Sequence, residues 1–121
     1  MPANVQLFLV SLDSPSACVQ EVNQILQNYP EFDVIIIDGL YRYEMIAIAR
    51  ALMANDGVII CDNAEGYGFQ EGFKESGMSR VDFFGNAPGV ILPHCTSLFF
   101  KEQCFLLSSK YAIPTIAKED K

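Results

Sequence analysis

The sequence predicts an open α/β sheet with an antiparallel hairpin at one edge, and three observations predict it. Apolar runs and amphipathic stretches alternate along the chain. The run FDVIIID (Phe32–Asp38) sets four β-branched residues in a row without polar alternation, as a strand covered on both faces does. The last two strand-like runs are joined by a short, proline-rich loop with no room for a crossover helix, so they pair antiparallel. The 121 residues suit one domain. Half of them are apolar, enough for a core without disulfides or a structural metal.

The elements follow in order. Val5–Leu12 is apolar at nearly every position and reads as a first buried strand. Ser14-Pro15 reads as an N-cap followed by proline at the first helical position. Val19, Val22, Leu26 and Tyr29 then recur at helical spacing, which predicts a helix over Pro15–Asn28, stopped by Pro30. After Phe32–Asp38, a second helix covers about Tyr41–Ala54. Met45, Ile48, Ala49 and Leu52 form its buried stripe, and Arg42, Arg50 and Asn55 its wet side. Asp56-Gly57 reads as a turn and Val58–Cys61 as another buried strand. Glu65–Gly68 opens a short helix to about Ser76, with Phe69 and Phe73 one turn apart and Gly77 suited to end it. Arg80–Phe84 and Thr96–Phe100 are the hairpin strands, and Cys104–Ser108 extends the sheet or packs across it. Right-handed crossovers make the first three strands parallel neighbours or near neighbours. The domain is expected over residues 1–112, with a loose, charged tail at 113–121.

Composition removes several function classes. No apolar run approaches the ~20 residues of a membrane span. Eight Lys and Arg, scattered singly against fifteen Asp and Glu, argue against nucleic acid. Met1–Asp13 lacks the basic start and cleavage site of a signal peptide. With four cysteines in no CxxC pair and one histidine, no zinc spacing exists. Unbridged thiols and a cytoplasmic setting are therefore expected.

Ligands of open α/β sheets bind beyond the carboxyl ends of parallel strands. Asp13, Asp38 and Asp62 each end a strand, with Asn63 and Glu65 beside the last. Two carboxylates and an amide there suit Mg²⁺ or Ca²⁺, or hydrogen bonds from a ribose or an amine. Asp at a strand end also simply caps the next turn. His94, the one histidine, is a candidate general base without a visible orienting partner. Gly66-x-Gly68 is only a fragment of a phosphate-binding pattern, and no complete one occurs.

FDVIIIDG (Phe32–Gly39), DGVIICDN (Asp56–Asn63), RVDFFG (Arg80–Gly85) and TSLFF (Thr96–Phe100) together resemble the second half of a class I S-adenosylmethionine-dependent methyltransferase, over about Val5–Phe100. The resemblance implies a truncated, Rossmann-like three-layer sandwich with strand order about 3-4-5-7-6, Val5–Leu12 standing as strand three. It implies that Asp13 lies close to the cofactor adenine. In the catechol-type branch it implies a divalent metal, Mg²⁺, on Asp38, Asp62 and Asn63, which would lower the pKa of a substrate hydroxyl. That branch has a lysine where Tyr41 stands, which makes Tyr41 a second candidate donor. The glycine-rich loop and the acidic end of strand two, which hold S-adenosylmethionine in that family, have no counterpart. The chain alone is therefore not expected to be competent for the cofactor. The implied activity is methyl transfer to a small molecule, at oxygen where the catechol-type branch is followed. The alternative is a non-catalytic, methyltransferase-like interaction module, with a homodimer formed through uncovered apolar surface. DVIIID also fits a receiver-like or flavodoxin-like domain superficially, but the early acidic pair and the late lysine are missing.

Overall fold

The computed structural model describes residues 2–66, 69–86, 88–104 and 106. Three helices, α1 (Pro15–Leu26), α2 (Arg42–Leu52) and α3 (Phe69–Ser76), alternate with strands β1 (Phe32–Ile37), β2 (Met53–Cys61), β3 (Ser79–Gly85) and β4 (His94–Phe100). The strands form one mixed sheet in the order β1-β2-β4-β3. β1 and β2 are parallel, and β4 is antiparallel to both β2 and β3. The parallel pair and the edge hairpin stand as the sequence predicts.

Local signals explain the helix ends. The Ser14 hydroxyl accepts from the Ala17 N–H at 3.2 Å, and Pro15 opens α1. Gly77, at φ +65°, takes the left-handed conformation that follows α3.

One face of the sheet carries the main core. Ile37, Ile59, Cys61, Cys95 and Phe99 pack with Ile46 and Ala49 of α2, and Ile35 and Met45 join them. α3 lies against α2. On the other face, Val58, Phe100 and Leu98 pack with Cys104 in a smaller cluster. Val34 and Ile36 point away from the core and remain exposed, Ile36 at 67%. No described helix covers them, so among the described residues a helical layer covers β1 on one face alone. The alternation of Ile35 and Ile37 inward with Val34 and Ile36 outward marks a one-sided edge strand rather than a buried central one.

Val5–Leu12 is not a strand, which corrects the expected five-strand order. Three of its polar groups pair outside any ladder. The Ser11 N–H donates to Glu21 Oε2 at 3.0 Å, and the Leu12 carbonyl accepts from the Tyr41 hydroxyl at 2.7 Å. Tyr29 Oη donates to Gln6 Oε1. Leu7 and Leu9 stay exposed, Leu9 at 93%. Apolarity alone does not make a strand without a ladder partner.

Three further features differ from the sequence reading. α2 ends at Leu52, and Met53–Asp56 already belong to β2. Asp56-Gly57 is thus a strand irregularity rather than a turn. Phe32 faces Met53 while Val34 faces Val58, so β2 carries extra residues across that step. Arg42, expected on the wet side of α2, is only 8% exposed. The predicted Gly68 and most of Cys104–Ser108, like the tail at 113–121, lie outside the described residues.

Candidate functional site

The carboxyl ends of β1 and β2 sit side by side, joined by the Asp62 N–H donating to the Ile37 carbonyl at 3.1 Å. Asp38 and Gly39 leave β1 there, and Asp62, Asn63 and Glu65 leave β2. The antiparallel β4 starts at the same end, which brings His94 beside them. All the strand-end residues singled out from sequence, except Asp13, therefore meet on one rim of the sheet. Asp13 follows Leu12, whose carbonyl the Tyr41 hydroxyl ties to the start of α2. The Asp13 carboxylate is exposed and makes no hydrogen bond among the described residues. It has the chemistry to accept from a ligand amine.

Arg42 occupies the gap between the two parallel strand ends. Its Nε donates to the Gly39 carbonyl at 2.6 Å, and Nη1 donates to the Asp62 carbonyl. Its Nη2 lies 3.3 Å from Asp38 Oδ1, an ion pair in which Asp38 is 63% exposed. Asp62 Oδ1 instead accepts from Thr96 Oγ1 at 3.4 Å. Asn63 turns its amide toward His94 and Glu65. Asp38, Asp62 and Asn63 thus face three different partners. Among the described residues, no group of three or more His, Cys, Asp or Glu side chains gathers where it could hold a metal ion. The Arg42 guanidinium puts a positive charge 3.3 Å from Asp38 Oδ1, beside the set that the resemblance assigns to a divalent cation. Asn63 has a backbone reason to be Asn, since it sits at φ +50°, where Asn is tolerated better than most residues. Tyr41 also sits at positive φ, +56°, and its hydroxyl is engaged by Leu12.

The tightest cluster lies one step further along. Glu65 Oε1 is 2.7 Å from His94 Nδ1, and Glu65 Oε2 accepts from the Cys95 N–H at 2.8 Å. The Ala64 N–H donates to the Cys95 carbonyl at 2.8 Å, clamping the segment after β2 onto the start of β4. Partial burial acts to raise the Glu65 carboxyl. Hydrogen bonds from its own N–H, the Cys95 N–H, His94 and Asn63 outweigh it and hold the pKa at about 2. Asn63 Nδ2 lies 2.8 Å from the same His94 Nδ1. A nitrogen that donates to the carboxylate cannot also accept, so when Nδ1 carries the proton the Asn63 amide keeps only its 3.5 Å donation to Glu65 Oε1.

A cleft of about 560 Å³ opens beside Glu65, lined by Cys95 and Ser97 of β4, Arg80 and Asp82 of β3, and Lys74 of α3. Ser97 Oγ donates to Asp82 Oδ1 at 2.6 Å, and Arg80 Nε pairs with that carboxylate at 2.8 Å. The four thiols are buried and unbridged. Burial pushes Cys61 up to about 12, slightly opposed by the Arg42 charge, so it is a neutral core thiol rather than a nucleophile.

The depressed Glu65 pKa has a signed consequence. The carboxylate contributes stability above its ordinary value of 4.5, and that contribution is lost as pH falls toward 2. Glu65→Gln is therefore expected to be less stable than the parent near neutral pH. The two are expected to converge in acid, as denaturant unfolding would record. A gap unchanged in acid would assign the difference to packing.

No protein-family model matches the chain, and no curated protein does. The rim was legible in sequence through its Asp and Asn endings. The Arg42 bridge and the Glu65–His94 pair were not, because Glu65 and His94 belong to different strands' ends and meet only through the β2–β4 pairing.

Proposed function

We propose that this chain carries the carboxyl-side part of a class I S-adenosylmethionine-dependent methyltransferase that acts on a small molecule by O-methyl transfer. The observation that carries this reading is the sheet itself. A parallel pair followed by an antiparallel edge hairpin, in the order β1-β2-β4-β3, sets Asp38, Asp62 and Asn63 on one rim, as the resemblance implies. The cofactor supplies an electrophilic methyl group when bound. Toward it, this chain offers Asp13 as an acceptor for the adenine amine, and the open strand ends around Gly39. Arg42 pairs with Asp38 and carries a positive charge on this rim. A cytoplasmic setting fits four unbridged thiols. No described helix is long and apolar enough to cross a membrane.

Calorimetry with S-adenosylhomocysteine tests the reading. Without the glycine-rich loop the chain alone is not expected to hold the cofactor, so even weak, saturable binding that S-adenosylmethionine displaces supports the reading. No heat at millimolar ligand selects the non-catalytic module instead.

A second reading is favoured by a separate observation. β1 is an edge strand with Val34 and Ile36 exposed, and Phe83 and Phe84 are exposed on the opposite edge strand, β3. Such edges invite pairing with another chain. A methyltransferase-like module that forms a homodimer, and binds no cofactor, is the outcome that light scattering together with silent calorimetry would select.

A further inference from the structure

We propose that Glu65 and His94 form a carboxylate–imidazole pair that fixes the proton on Nδ1 and presents Nε2 as the proton acceptor for a substrate hydroxyl. The inference rests on the methyltransferase reading for its substrate, and on geometry for the pair.

Both oxygens of Glu65 are used. Oε1 faces His94 Nδ1 at 2.7 Å and Oε2 is held by the Cys95 N–H at 2.8 Å. Swinging the carboxylate away therefore breaks its bond from the Cys95 N–H, on a segment that the Ala64 N–H also ties to the Cys95 carbonyl. Asn63 Nδ2, 2.8 Å from the same nitrogen, is a competing donor, but an ionised carboxylate has only lone pairs to offer, and its 2.7 Å contact assigns the proton to Nδ1. In the neutral ring the other nitrogen, Nε2, then holds the lone pair. Among the described residues nothing hydrogen-bonds Nε2, and the side chain is 35% exposed. The ring stands on the rim where parallel strands of an open sheet place their ligands. The charged groups around the pair come from several elements. Asp62 precedes Asn63 on the same segment, and Lys74 of α3 and Arg80 and Asp82 of β3 share the cleft with Glu65.

The step assigned to the pair is one proton transfer. The O–H bond of the acceptor breaks, its proton moves to Nε2, and the electron pair remains on oxygen as the nucleophile. The imidazolium formed is balanced by the Glu65 charge, which makes Glu65 a positioning residue.

His94 is the one histidine, so its ring gives a single set of nitrogen resonances in the full-length chain. Long-range ¹H–¹⁵N spectra above the pH of imidazole protonation are expected to show Nδ1 protonated and Nε2 bare in the parent. Glu65→Ala is expected to shift the ring toward the Nε2–H form. Nε2–H in the parent, or an unchanged tautomer in a folded Glu65→Ala, overturns the pair. Diethyl pyrocarbonate supplies a second readout that needs no variant. Acylation of His94 at Nε2 supports an open acceptor nitrogen, and an unreactive ring in the folded parent overturns it. Failure of cofactor binding would remove the methyltransferase reading and leave these results standing. A wrong tautomer would remove the pair and leave that reading intact.

Discussion

Gly57→Val is expected to destabilise the chain by about 3 kcal/mol, near the upper end of what overpacking ordinarily costs. A Cβ at Gly57 would lie 2.8 Å from the Asp33 carbonyl oxygen and 3.1 Å from those of Ala54 and Phe32. All three are backbone atoms at the start of the β1–β2 ladder, so no flexible side chain can yield. The irregular step between the Phe32–Met53 and Val34–Val58 pairs brings the two backbones this close. Urea unfolding of Gly57→Ala and Gly57→Val measures the effect, and the alanine variant should already show most of it. Two variants as stable as the parent would mean that β2 passes β1 differently here.

Arg42→Met is expected to cost about 2–3 kcal/mol, because it removes charge-assisted hydrogen bonds to two carbonyls and one carboxylate. Asp38→Asn, which touches the same ion pair from its exposed side, should cost under about 1 kcal/mol. The asymmetry is the test. Arg42 joins the residues after β1 to those after β2, whereas Asp38 adds only a solvent-screened charge. Arg42→Lys should recover only part of the loss, since an ammonium cannot reproduce the guanidinium fork. Equal losses for Arg42→Met and Asp38→Asn in denaturant unfolding would contradict a bridging role.

Much of the sheet was legible because its signals are local. The β-branched run of β1, the Ser14-Pro15 start of α1 and the proline-rich link between β3 and β4 each fix a conformation or exclude one over a few residues. Val5–Leu12 misled because hydrophobicity reports a need for cover, whereas a strand also needs a ladder partner. Asp56-Gly57 misled for a related reason. Glycine marks both turns and close backbone approach, and only the neighbouring β1 backbone distinguishes them. At the rim, sequence placed Asp38, Asp62 and Asn63 at the strand ends. It could not orient them, because Arg42, Thr96 and His94 reach them from other elements. Arg42 sits at the first position of α2, where helical periodicity says little about burial.

The central claim is that the rim formed by Asp38–Tyr41 and Asp62–Glu65, with Asp13 held near it through the Leu12–Tyr41 hydrogen bond, is a ligand site of methyltransferase type. An amide-resolved NMR titration of the full-length chain with S-adenosylhomocysteine tests it most directly, since even weak binding moves resonances. With the glycine-rich loop missing, the account predicts no tight binding but weak, saturable shifts concentrated at Asp13, Gly39, Tyr41, Asn63 and Glu65. Shifts confined to the exposed edges of β1 and β3, or none at millimolar ligand, would contradict it.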